Sequence, residues 1–464
     1  MELIRAQDRD TICALSTPPG HGGIAVIRVS GSDAEQITRK ICSHLPQNLE
    51  THKIYFTSFV EPGSRETVDE GLVSYFKEGR SYTGEETCEI SCHGGQTVSQ
   101  VILNNLIQAG ARIAEPGEFT YRSFLNGNLD LAQAESVLDL IESQSPKSAK
   151  LAVRNLQGEL SKTVVTIKSE IEWMLAHLEA SIDFSTEDIE VVDHDEVHRK
   201  ATEILDKIDE LTASYESGRI VKEGLHIGLV GHPNVGKSSL LNTFLKEDRA
   251  IVTDEPGTTR DVIEGSTMIN GQRVFFMDTA GLRVTDNKVE KIGIDRTHET
   301  IKKLDHIFIV VNDDAIPEIS EFNVDLLNSE SISVIVNKVD LKPENLLFTE
   351  WSKNSPEYLK SSRVFPASVK TGQGLPEIEK FIEELSSVVL EGDGAVLTNA
   401  RHFNSLSALK DHLVKAMELM RADQSPEFVA FELQDCQRHI YDVLGLQVDE
   451  QIIDRIFKEF CLGK

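Results

Sequence analysis

Apolar positions change their period three times along the 464-residue chain, and each change marks a different kind of element. Up to residue 118, short apolar stretches such as GIAVIRVSG and CEISCHGG lie between the Gly/Pro turns TPPGHGG and EPGEF, which predicts a compact α+β domain. Over 119–221 the spacing turns helical: Ile171, Met174, Leu175 and Leu178 form one stripe, and Ile204, Ile208, Leu211 and Tyr215 another. Residues 222–386 alternate strand, glycine loop and helix, the βαβ rhythm of a mostly parallel sheet. After EGDGA, helical spacing returns over 387–464 at Leu406, Leu409, Leu413 and Met417, then at Val429, Leu433, Cys436, Ile440 and Val443. Helices on both sides of the α/β block predict that the flanking segments pack together into one discontinuous helical domain, with the α/β domain inserted and its ends close.

The alternation within CEISCH sends Glu89, Ser91 and His93 to one strand face and Cys88, Ile90 and Cys92 to the other. Those two cysteines, and Cys436 in its helical stripe, read as buried small hydrophobes. Six cysteines without a CxxC pair fit a reducing compartment, and Cys461 reads as structural rather than nucleophilic. A formal charge of −29 argues against a broad electropositive nucleic-acid surface, so any RNA contact must be local or shared with a basic partner. The amino terminus lacks a signal-peptide layout and no run of 18 apolar residues occurs, so a cytoplasmic location is expected.

Candidate chemistry gathers in the inserted block. LHIGLVGHPNVGKSSL places an apolar strand before Gly231-x₄-Gly236-Lys237-Ser238, the context of a P-loop. There, backbone N–H groups cradle phosphates, Lys237 reaches the β/γ oxygens and Ser238 holds Mg²⁺. VFFMDTAGL ends a second strand in Asp278-x-x-Gly281, suited to supporting Mg²⁺ and meeting the γ-phosphate. ISVIVNKVD ends a third in Asn337-Lys338-Val339-Asp340, whose carboxylate can accept from guanine N1–H and the 2-amino group, so the ligand is GTP rather than ATP. FPASVK adds a base-side loop at Ser368, and RAIVTDEPGTTRD reads as the first switch, with Thr259 as the second Mg²⁺ hydroxyl.

Where a Ras-type GTPase carries a water-orienting Gln after the DxxG glycine, this chain has Leu282, which cannot hydrogen-bond to water. Glu290 is the first candidate to replace it, with Asp286 and Asp295 behind it. The positive charge of an arginine finger would come from Arg260 or Arg283, or from a monovalent cation caged by Asn234 and the carbonyls of the 253–258 loop.

The segments DTICALSTPPGHGGIAVIRVSG, SYTGEETCEISCHGG, PGEFTYRSFLNGNLDLAQAESVLDLI, GHPNVGKSSLLN, AIVTDEPGTTRD, DTAGLR with VEKIGI, and the terminal CLGK together resemble the bacterial MnmE (TrmE) family of tRNA-modification GTPases over essentially the whole chain. The resemblance implies an N-terminal folate-binding domain that also forms a homodimer, a helical domain made of both flanking segments, and an inserted G domain. It implies potassium-dependent GTP hydrolysis. With the flavoprotein MnmG, which carries FAD and uses NADH, the family adds an aminomethyl-type group (aminomethyl or carboxymethylaminomethyl) to C5 of the wobble uridine of certain tRNAs. The one-carbon unit would come from 5-formyl- or 5,10-methylene-tetrahydrofolate and the amine from glycine or ammonium.

Motifs and resemblance together assign GTP contacts to Asn234, Val235, Gly236, Lys237, Ser238, Ser239, Thr253, Thr258, Thr259, Asp278, Thr279, Ala280, Gly281, Asn337, Lys338, Asp340 and Ser368. By the same carry-over Mg²⁺ falls to Ser238 and Thr259, K⁺ to Asn234, Thr253, Glu255 and Thr258, and catalysis to Glu290 and Lys237. Folate falls to Arg28, Glu89, Asn128 and Lys464. Relatives commonly carry Lys where this chain has Asn128, which removes a charged contact to the folate glutamate tail. The rival reading is a regulatory GTPase that binds RNA or ribosomes, but such proteins usually append a basic RNA-binding domain, and here the C-terminal segment is a mixed-charge helical stretch.

Overall fold

The computed structural model describes residues 10–183, 194–246, 263–278, 304–312, 331–341, 362–387, 394–447 and 450–464. The chain forms two compact units, one drawn from Met1–Ile141, Arg154–Ile208 and Asn404–Lys464, the other from Glu142–Val153 and Asp209–Phe403.

In the first unit six strands, β1 (Ile12–Leu15), β2 (Ile24–Ser30), β3 (Lys53–Val60), β4 (Thr67–Phe76), β5 (Thr87–His93) and β6 (Arg112–Ile113), form a sheet in the order β3-β4-β5-β2-β1-β6. All neighbours are antiparallel except β1 and β6. Helices Ala34–Lys40 and Gln96–Ala109 close one face over Ile27, Val29, Phe59, Cys88 and Ile90, joined by Ile37, Ile102 and Leu106. Period-2 alternation therefore sorts the strands as expected, and burial pushes the Cys88 and Cys92 thiols up to about 12 and about 11, keeping both protonated. The opposite face keeps Ile24, Ile54, Phe56 and Leu72 exposed.

The helix Glu159–Asp183 lies against Pro426–Leu444 across the sequence. Met174, Leu178, Leu433, Cys436 and Ile440 are all buried there, and Gln437 donates to Glu172 at 3.4 Å. The helical segments before and after the α/β block thus share one core. One detail differs from the stripe read in the sequence: the helix His194–Ala213 stops before Tyr215. Ser214 turns its hydroxyl back onto the Leu211 carbonyl at 2.6 Å, and Tyr215 begins a separate helix, Tyr215–Glu223, stacking on Phe403 with centroids 4.5 Å apart.

The second unit holds the strands β7 (Leu225–Val230), β8 (Ile263–Ile269), β9 (Gln272–Asp278), β10 (His306–Val311), β11 (Ile332–Val336) and β12 (Arg363–Pro366), ordered β12-β11-β10-β7-β9-β8. Only β8 runs antiparallel. HIFIVV and ISVIV are buried at every residue because a parallel sheet is covered on both faces.

His306 is 1% exposed, donates to or accepts from Ser333 Oγ at 3.0 Å, and meets the rings of Phe308 and Phe381 edge-on. Burial pulls its pKa from 6.5 down to about 4, outweighing the neighbouring Asp305 carboxylate. The folded state therefore holds His306 neutral while the unfolded chain takes up a proton, so stability is full above pH 6.5 and falls as pH drops towards 4. The loss amounts to about 3 kcal/mol. Urea midpoints measured across that range should fall for the wild type, with a flatter dependence in His306→Asn.

Candidate nucleotide and ligand sites

β7 delivers the chain to the loop 231–236, and the helix Lys237–Lys246 begins at its end, so the loop amides and the first helical turn face one concavity. Two backbone features shape the loop. Asn234 adopts φ +66°, a left-handed conformation that Asn tolerates, and Gly236 lies at +105°. A Cβ on Gly236 would stand 2.2 Å from Asn337 Nδ2, so only glycine lets the loop pass this side chain.

Asn337, 4% exposed, couples the phosphate loop to the base loop. Its amide donates to the Val235 carbonyl at 2.8 Å, and its Oδ1 accepts from Val369 N–H at 3.3 Å. Lys338 adds a second tie, from Nζ to the Asn234 carbonyl at 2.7 Å. Ser368 Oγ donates to Asp340 Oδ1 at 2.7 Å, which holds the carboxylate at the wall of the cleft. Gly236, Ser239, Asn337, Lys338, Asp340 and Ser368 line a cleft of about 280 Å³. Lys237 Nζ donates to the carbonyls of Gly231 and His232 at 2.8 and 3.1 Å, and Ser238 is exposed in the first helical turn. The register of β7 and β9 sets Leu229 opposite Asp278, bringing the start of DxxG beside the start of the P-loop.

Of the residues expected at the nucleotide, Gly236, Ser239, Asn337, Lys338, Asp340 and Ser368 line one cleft, Val235 and Asn234 are tied to it through Asn337 and Lys338, and Lys237 and Ser238 lie between Gly236 and Ser239 at the helix start. Thr253, Glu255, Thr258, Thr259, Thr279, Ala280, Gly281 and Glu290, together with the Asp278 side chain, lie outside the described residues. The chemistry of the gathered set suits a Mg²⁺-nucleoside triphosphate: amides and Lys237 for phosphate, the Ser238 hydroxyl for the metal, and an acceptor-only carboxylate for the base.

The four residues expected at a folate site, Arg28, Glu89, Asn128 and Lys464, all lie in the first unit. Arg28 and Glu89 are cross-strand partners on β2 and β5, and Arg28 Nε and Nη2 both reach Glu89 Oε1 at 2.9 Å. The guanidinium sits 5.3 Å from the Tyr82 ring centroid and 5.4 Å from that of Phe119. Asn128 Nδ2 donates to the Tyr82 carbonyl at 3.2 Å. The Lys464 carbonyl accepts from Phe119 N–H at 3.2 Å, and Gly463 accepts from Ser16 Oγ at 3.1 Å. Gly463, at φ +91°, is needed because a Cβ would lie 2.2 Å from the Leu15 carbonyl oxygen. Tyr82 and Phe119 thus link all four residues, and sequence reasoning assigned neither a role. Their signal was present as aromatics inside SYTGE and PGEFTY.

Among known families, the one described as the MnmE helical domain matches residues 131–461, and the one described as the GTP-binding protein TrmE N-terminus matches 11–128. A protein of Bdellovibrio bacteriovorus called tRNA modification GTPase MnmE is 44% identical, covering 99% of this chain and 98% of its own. One of Natranaerobius thermophilus with the same name is 40% identical over 98% and 99%. Among solved structures, the G domain of the T. maritima FeoB iron transporter is similar over 35% of this chain and 99% of its own, at 25% identity and a TM-score of 0.26.

Gly236→Ala should abolish GTP binding, measured by fluorescent-nucleotide titration, because the loop cannot keep both its φ and its approach to Asn337. The circular-dichroism spectrum should stay that of the wild type. Retained affinity would show that the loop has room the geometry denies.

Proposed function

The chain belongs to the MnmE family of tRNA-modification GTPases, and from that premise we propose that it is a potassium-dependent GTPase working with the flavoprotein MnmG on the wobble uridine of tRNA. The reaction in this reading adds an aminomethyl or carboxymethylaminomethyl group to C5 of that base, with tetrahydrofolate as one-carbon donor. What carries the reading is the Asn337-centred coupling of phosphate and base loops in a chain that matches the family from end to end.

In the GTPase step, Ser238 and Thr259 would hold Mg²⁺, which neutralises the phosphate oxygens when bound. Asn234, in a left-handed backbone position in the P-loop, would give an oxygen ligand to K⁺, and Thr253, Glu255 and Thr258 would complete the set. Glu290 would orient the attacking water that Leu282 cannot hold. For the folate step, Arg28 and Glu89 offer paired donors and acceptors to a pterin ring, and Tyr82 supplies an aromatic face, while the buried Phe119 backs the guanidinium. The exposed Ile54, Phe56 and Leu72 share the sheet face of Arg28 and Glu89 through the β2–β5–β4–β3 register, which supports a homodimer formed through the N-terminal domain. No helix among the described residues is long and apolar enough to cross a membrane. Action in the cytoplasm accords with a tRNA substrate.

GTP turnover in potassium should exceed that in sodium at equal ionic strength by about tenfold or more, and Glu290→Ala should cut the potassium rate by about 100-fold. Equal rates in both salts would remove the cation from the mechanism and direct attention to Arg260 or Arg283. Separately, Arg28→Ala should weaken binding of 5-formyltetrahydrofolate by about tenfold or more, read by calorimetry, without changing GTP turnover. Unchanged folate affinity would sever Arg28 from that site.

A further inference from the structure

Away from both sites, His412 on the helix Ala400–Arg421 faces Glu432 and Asp435, which lie one turn apart on Pro426–Leu444. Its Nδ1 stands 2.7 Å from Glu432 Oε2 and 3.8 Å from Asp435 Oδ2, and one ligand atom from each of the three lies within 4.8 Å of the others. The carboxylate side chains are only 5% and 12% exposed. Their outer oxygens are already engaged: Lys415 reaches Glu432 Oε1, and Arg438 reaches Asp435 Oδ1. Each carboxylate is thereby held with its second oxygen turned towards the imidazole. His439 stacks on His412, centroids 5.5 Å apart, with its own Nδ1 directed at Asp442.

A neutral imidazole has one proton to give, and Nδ1–H can serve one of these two oxygens well. A divalent cation in the place of that proton accepts lone pairs from all three atoms. Bonds of about 2.0–2.1 Å to a tetrahedral ion separate its ligand atoms by about 3.3 Å, a spacing between the two N···O distances found here. The two N···O distances must each change by about half an ångström, and the two carboxylate oxygens, within 4.8 Å of each other, must close to the same spacing.

We propose that His412, Glu432 and Asp435 form a binding site for a divalent first-row transition metal that clips the helices Ala400–Arg421 and Pro426–Leu444 together. The imidazole selects against Mg²⁺ and Ca²⁺, which take oxygen ligands, and one nitrogen with two carboxylate oxygens suits Zn²⁺, Mn²⁺ or Fe²⁺. Lys415 and Arg438 act from outside the ion, orienting the carboxylates and offsetting part of their charge. His412, with 30% of its side chain exposed, leaves a path for the ion and for a water as fourth ligand, and on binding the neutral imidazole exchanges its Nδ1 proton, through solvent, for one on Nε2.

The test uses the full-length, untagged protein, stripped with a chelator and titrated with Co²⁺ under excess Mg²⁺, which saturates the nucleotide site. One equivalent of Co²⁺ should give the visible bands of a four- or five-coordinate ion, displaced by Zn²⁺. His412→Ala should abolish the bands. Asp435→Asn, which leaves the His412–Glu432 pair intact and so keeps the helices packed, should weaken the metal by about tenfold or more. Zn²⁺ should raise the Tm of the wild type and not that of His412→Ala. A wild type without such bands, or bands that persist at equal affinity in both variants, would overturn the site and leave an ion-pair network.

Discussion

At Gly236 a Cβ would collide with the Asn337 amide, and at Gly463 with the Leu15 carbonyl. Both candidate sites depend on this kind of approach, in which a glycine lets the backbone pass close to a side-chain amide at Gly236 and to another stretch of backbone at Gly463. In the second unit the approach lets a single carboxamide bond the phosphate loop on one side and the base loop on the other. Phosphate and base recognition are then fixed relative to each other by short bonds rather than by the long strands that carry them. In the first unit the same device seats the last residues of the chain on β1 and against Phe119, so that Lys464 belongs to a folded surface although it is terminal.

Much of this architecture was legible because burial imposes period. The fully buried strands β10 and β11 read as unbroken apolar runs, and the sorted faces of β5 read as alternation. The packing of Glu159–Asp183 on Pro426–Leu444 followed from two helical stripes on either side of an α/β block, since each stripe needed cover and neither had it locally. The break at Ser214 was not legible. A hydroxyl that bonds back to its own helix competes with propagation only when the following ring finds a partner elsewhere, and Phe403 lies far along the chain.

The nucleotide cleft was legible at the level of roles and not of couplings. P-loop, DxxG and NKxD spacing name phosphate and base contacts, yet nothing in those strings says that Asn337 also holds Val235, or that Lys338 also holds Asn234. Those bonds arise because parallel neighbours deliver their loops to the same sheet edge, a consequence of strand order β11-β10-β7. Tyr82 and Phe119 escaped notice for a related reason. An isolated aromatic reads as core, and its position beside a guanidinium appears only when β2, the loop 81–86 and the helix Glu118–Leu125 are brought together.

The ligand chemistry of the first unit turns on charge. Arg28 is matched by Glu89 within the site, so that pair contributes direction more than net charge. Asn128 spends its amide on the Ser81 and Tyr82 carbonyls and brings no cation. If folate binds here as proposed, its ring system would rely on the Arg28–Glu89 pair and the Tyr82 ring. Affinity should then be carried mainly by the ring end and depend weakly on ionic strength, since stacking and short paired hydrogen bonds are screened little by salt.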